Sequence, residues 1–190
     1  STVLAMEKLA EEIKKNAPDL LVFLTPHGNV FSDCLTVLTV SNLKGDFKNF
    51  GRADVRSLTY NNDTDFINEL MERSQNQGIF LLGVDEQLAL KHRLNTSLDH
   101  GILVPLYYLE KAGIKGIRMA AISVGLLPPE DLYVFGKQLQ ETADALGRRV
   151  AVIASGDMSH RLIEEGPYRY HSDGIRFDRF VKECLEDGRV

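Results

Sequence analysis

Leu20-Leu21-Val22-Phe23-Leu24 and Val150-Ala151-Val152-Ile153-Ala154 are each apolar without a break. Runs this short, bounded by turn-forming residues, suit strands rather than helices. A half-exposed strand would alternate, whereas a strand in a parallel sheet covered on both faces reads as a continuous hydrophobic run. Further strands are expected over Leu35 to Val40, Val55 to Tyr60, Ile79 to Leu82 and Ile117 to Val124. Helical spacing separates most of them. Val3, Met6, Leu9 and Ile13 mark a first helix that Pro18 stops. Asp63 caps a second through Phe66, Ile67, Leu70 and Met71 to about Asn76. Ile102 to Ala112 ends at Gly113, Pro128-Pro129 opens a helix that closes at Leu146-Gly147, and Ile175 to Leu185 is a last amphipathic helix. The expected class is α/β, with a central mostly parallel or mixed sheet and helices on both faces. The mixed part is expected where Leu35–Val40 and Val55–Tyr60 follow one another with no helix between. Gln87 to Asp99 reads as the longest irregular connection and Gly166 to Gly174 as the next.

With 190 residues, 44% hydrophobic and 26% charged, one domain with one sizeable core is the natural expectation. The net charge is −5 and the 22 Lys and Arg are scattered, which argues against a nucleic-acid footprint. No apolar run approaches the roughly 18–20 residues that span a bilayer, so no membrane partner is expected. Cys34 and Cys184 form neither a metal-type pair nor a disulfide framework, and the expected compartment is a reducing cytoplasm. The chain opens on Ser1 and closes just past a helix at Glu186-Asp187-Gly188-Arg189-Val190, and both ends read as cut.

In open α/β sheets ligands bind beyond the carboxyl ends of the strands. His27, in Thr25-Pro26-His27-Gly28, and His160, in Ser155-Gly156-Asp157-Met158-Ser159-His160, each follow such an end. His100, in Leu98-Asp99-His100-Gly101, sits where a loop opens into a helix. Imidazole suits Fe, Zn and Cu and serves as a base near neutral pH. Each histidine alone could equally be a satisfied structural residue; the three together point to a shared site, converging on one cleft. His92 and His171 lie in polar connections and read as solvated. Asp46, Asp99 and Asp157 read either as turn or cap residues or as pocket carboxylates. Tyr168 and Tyr170 read as surface packing or as a cover for a planar substrate, and Cys34 as a core residue.

Thr25-Pro26-His27-Gly28, then Asp99-His100-Gly101 with Val104-Pro105-Leu106, then Ser155 to His160, occur in that order. Together they resemble the class III extradiol ring-cleavage dioxygenase catalytic (B) subunits, in the bacterial and archaeal branch related to Memo proteins. The resemblance covers essentially the whole chain. It implies a non-haem Fe(II) site, with another divalent metal as the variant, where a catechol-type diol and O2 meet. It makes His27 a metal ligand, His100 a histidine that either supports the metal ligands or acts as an acid–base group, and His160 an active-site histidine that is a base or a ligand. Asp99 and Asp157, inside the matching segments, become substrate-side carboxylates. It further implies that residues 1–190 are a single such domain lacking its first strand and its C-terminal segment, where the other ligands are expected. A homo-oligomer, or a fused or associated second domain, goes with this branch. So does the alternative of a Memo-like metal- or ligand-binding module without ring cleavage.

Overall fold

A computed structural model describes residues 2–48, 51, 57–166 and 168–189. They fall into two compact units, Ser1–Ser155 and Gly156–Val190. In chain order the first unit holds α1 (Thr2–Asn16), β1 (Leu20–Thr25), β2 (Leu35–Leu38), β3 (Asn42–Gly45), β4 (Leu58–Asn61) and α2 (Thr64–Asn76). It continues with β5 (Leu81–Val84), α3 (Glu86–His92), α4 (His100–Lys111), β6 (Arg118–Ser123), α5 (Pro129–Ala145) and β7 (Val150–Ala154). The second unit holds α6 (Ser172–Glu186).

The class is α/β, as the apolar runs imply. The main sheet of the described residues runs β5-β2-β6-β1-β7. β1 lies parallel to β6 and β7, and β2 is parallel to β5. The antiparallel pair is β2 with β6. Its cause is connection length: residues 26–34 are too few for a crossover helix, so the chain turns back into an antiparallel strand.

Pleating divides β1 between two cores. Leu21 and Phe23 point into one with Ile102, Leu106 and Leu109 of α4 and Ala10 of α1. Leu20 and Val22 point into the other with Phe66, Ile67 and Leu70 of α2 and Phe135 and Leu139 of α5. The neighbouring strand repeats the alternation, Met119 and Ala121 on the first side, Ala120 and Ile122 on the second. Because successive strand residues face opposite sides, helices on both faces require the unbroken apolar run seen in β1.

Three sequence expectations need correction. The strand near Tyr60 is not part of the main sheet; β4 pairs with β3 in a separate antiparallel hairpin, and of its expected start Val55 and Arg56 lie outside the described residues. β3 itself is only four residues long, with alternating burial and a terminal glycine, a pattern too short to read. β5 begins at Leu81, not Ile79. Finally, Gln87 to Asp99 is not wholly irregular, because α3 occupies Glu86–His92. Asp85 caps that helix by accepting from Leu88 N at 2.7 Å, but Leu90 is 86% exposed, so no buried stripe announces it. His92 closes this helix. Among the described residues no helix is long and apolar enough to cross a membrane.

Candidate functional site

Parallel register brings the carboxyl ends of β1, β6 and β7 side by side, Thr25 opposite Ser123 and Leu24 opposite Ala154. Thr25 is 1% exposed at the last position of β1. Pro26 has no N–H, so the first amide able to turn back on the Thr25 hydroxyl belongs to His27, and it donates at 3.2 Å. The hydroxyl itself donates to Asp99 Oδ1 at 2.8 Å. That same oxygen accepts from Gly101 N at 2.8 Å, which makes Asp99 the N-cap of α4.

The neighbouring loop is pinned as well. Asn29 donates through Nδ2 to Asn95 O at 2.7 Å and accepts from Asn95 N at 2.9 Å. Thr36 Oγ1 donates to Asn29 O at 2.9 Å.

Two glycines let these pieces close up. A Cβ on Gly28 would collide with the Ser123 hydroxyl. One on Gly101 would come within 2.7 Å of Thr25 Oγ1 and 2.9 Å of both Asp99 Oδ1 and Ser155 Oγ. The result is that His27 and His100, 73 residues apart in sequence, stand with ring centroids 4.1 Å apart and ring planes 34° apart. Both rings are half-buried.

Asp99 and His100 line a cavity of about 550 Å³ whose wall includes Lys44, Asp46, Lys48 and Ser97. That volume is in the range of small-molecule sites. Asp46 serves both readings offered for it. It accepts from Lys48 N at 3.0 Å as a turn residue, and it lines the cavity. The Lys48 amide and ammonium hold its carboxyl below the usual range. Cys34 is buried in the core, and burial pushes its thiol up.

The second unit builds its own frame around His160. Ser159 N donates to Asp178 Oδ1 of α6 at 2.7 Å, and Arg161 N to Ser159 Oγ at 3.2 Å. The His160 ring is exposed and meets Tyr168 edge-on at 5.8 Å. Tyr168 and Tyr170 are themselves 55% and 40% exposed, and Asp157 is exposed. His171 is more than a solvated residue: it is the N-cap of α6, its Nδ1 accepting from Asp173 N at 3.2 Å. The structure thus unites His27, His100 and Asp99 in the first unit and frames His160 and Asp157 in the second. Sequence reasoning did not single out Thr25, Asn29, Asn95 or Ser123. Thr25 carried a signal, a hydroxyl two residues before His27 across a proline.

The donor chemistry suits a divalent metal in part. His27 follows a strand end and His100 opens a helix, two imidazoles side by side, but among the described residues no group of three His, Cys, Asp or Glu is arranged to hold an ion. These residues alone do not complete a facial triad.

Residues 1–190 match the family described as the catalytic LigB subunit of aromatic ring-opening dioxygenase, and the chain belongs to that family. Protein CA_C1420 of Clostridium acetobutylicum is 32% identical over the whole chain, which covers 40% of that protein. A MEMO1 family protein of Pyrococcus furiosus is 31% identical over 96 residues, half of this chain and 32% of its own length. The chain therefore spans about two fifths of the longer Clostridium relative. Solved structures of a P knowlesi homolog of P falciparum PNP and of a Helicobacter pylori futalosine hydrolase mutant align at TM-scores of 0.44 and 0.37. They cover 74% and 76% of this chain, and 67% and 73% of their own, with 12% and 14% identity, and bear on neither fold nor function.

Proposed function

We propose that this chain carries the histidine part of an extradiol-type dioxygenase centre, acting with non-haem Fe(II) on a catechol-type ring and O2. The observation that supports this most is the His27–His100 pair at the carboxyl end of the sheet, beside a cavity of ligand size. His27 would hold the metal, together with other donors of the full-length protein. Bound iron would supply a Lewis-acidic point with open positions for diol and oxygen. His100 would take a proton from a diol hydroxyl in the cavity and return it as the ring opens. A base so placed is worth roughly 10²–10⁴-fold. Asp99, whose Oδ1 is committed to Thr25 and Gly101, would meet substrate through Oδ2. By the resemblance of their motif, His160, as base or ligand, and Asp157, on the substrate side, belong to the same proposal. A homo-oligomer, or a fused or associated second domain, belongs to the same reading.

Anaerobic Fe(II) loading of the full-length protein, followed by oxygen uptake over a panel of catechols, tests it. The expected result is uptake matched by a ring-opened product. No uptake with any diol despite stoichiometric iron would sink it. That outcome is what a second reading expects, a Memo-like metal- or ligand-binding module without ring cleavage. The likeness to the Pyrococcus MEMO1 family protein supports this alternative.

A further inference from the structure

We infer that Thr25 is a positioning residue, whose hydroxyl ties the turn carrying His27 to the start of the helix carrying His100 and so sets one ring against the other. The inference deepens the proposed reading and rests on its claim that these two histidines work together.

Three observations carry it. First, the Thr25 hydroxyl is bonded on both sides. It accepts from His27 N at 3.2 Å and donates to Asp99 Oδ1 at 2.8 Å. A hydroxyl has one donor and two acceptor sites, so it can join two backbone segments that are distant in sequence. Second, Asp99 Oδ1 is also the cap of Gly101 N at 2.8 Å, which puts the orientation of the first turn of α4 on the same atom. The path from His27 N to Gly101 N is thus three hydrogen bonds through two side chains. Third, the surroundings permit little else. Thr25 is 1% exposed, and a Cβ on Gly101 would press on Thr25 Oγ1, Asp99 Oδ1 and Ser155 Oγ together. A buried hydroxyl between two committed partners has a fixed geometry, and losing it removes both bonds of the tie at once.

The alternative is that Thr25 merely fills space at the end of β1. Two substitutions separate these roles. Thr25→Val keeps the shape and removes the hydroxyl; Thr25→Ser keeps the hydroxyl and removes the methyl. The readout is the nuclear Overhauser contact between the His27 and His100 ring protons in full-length, metal-free protein, recorded well below each variant's melting temperature. The contact is expected in the parent and in Thr25→Ser, and is expected to be lost in Thr25→Val. Asp99→Ala, which removes the other half of the tie at a less buried position, is expected to lose it too and provides the reading should Thr25→Val fail to fold.

A contact that survives in Thr25→Val, or in Asp99→Ala where that variant stands in, overturns the inference. So does one that disappears equally in Thr25→Ser. The measurement uses neither iron nor substrate, so it stands apart from ring cleavage. An inactive protein whose rings still part in Thr25→Val would lose the dioxygenase reading and keep the positioning role. An active one with rings indifferent to Thr25→Val would do the reverse.

Discussion

His27 and His160 each follow a strand of the main sheet, yet their settings differ. β1 has partners on both sides, β6 and β7, and all but Leu24 of its residues are buried. His27 leaves it through a buried threonine and a turn pinned to the next histidine. β7 is an edge strand with Val152 at 51% exposure, and His160 follows it in the second unit with an exposed ring. Strand-end placement therefore delivers a side chain to the ligand-binding end of a sheet, but whether it is held there depends on the buried polar groups next to it.

The comparison is sharpest in the core. Phe23→Ala removes a fully buried ring from β1 and should cost about 3–5 kcal/mol. Val152→Ala on β7 should stay within roughly 0.5 kcal/mol. Thermal melts would separate them by on the order of 10 °C in a chain of this size. Equal shifts would mean that β7 is as enclosed as β1.

Glycines in the two motifs give the next largest contrast. Gly28→Ala should cost about 1–3 kcal/mol, because the new methyl meets the Ser123 hydroxyl on a packed strand. Gly156→Ala should be neutral, or stabilising by up to about 1 kcal/mol, since no described atom lies within 4 Å of the added carbon. Urea denaturation of both variants measures this, and a costly Gly156→Ala would show that the His160 segment is tightly built after all.

The smallest effect is electrostatic. Burial, then the Glu110 carboxylate, pushes the Tyr60 phenol well above its ordinary 10.0, and its hydroxyl donates to Glu110 Oε1 at 3.1 Å. A folded value raised above the unfolded one contributes stability that is whole below pH 10.0 and is lost as the pH climbs toward the folded value. Tyr60→Phe should therefore flatten the alkaline loss of stability while leaving acid behaviour unchanged. Parallel alkaline curves for parent and variant would remove Tyr60 from that loss.

Much of this was legible in residue order. The unbroken apolar run of β1 implied a strand covered on both faces, and Asp63 at the head of α2 implied its cap, which accepts from Phe66 N. The same reading of Val150–Ala154 fails, because β7 lies at the sheet edge with only Ile153 buried. The motifs around His27 and His100 singled out two histidines whose rings lie side by side. What escaped was whatever depends on partners distant in sequence. β4 pairs with β3 because of where the hairpin lands, not because of its own alternation. The Asn29–Asn95 and Thr25–Asp99 bonds join positions 66 and 74 residues apart, and no local periodicity encodes them.

The measurement closest to the central claim is iron content and turnover per iron in His100→Phe, run beside the parent protein with a thermal melt of each. If His27 helps hold the metal and His100 moves protons beside it, iron and melting temperature are unchanged and turnover falls by at least about 10²-fold. Iron lost together with activity would make His100 a ligand, and unchanged turnover per folded molecule would make it structural; either result contradicts the division of labour proposed for the pair.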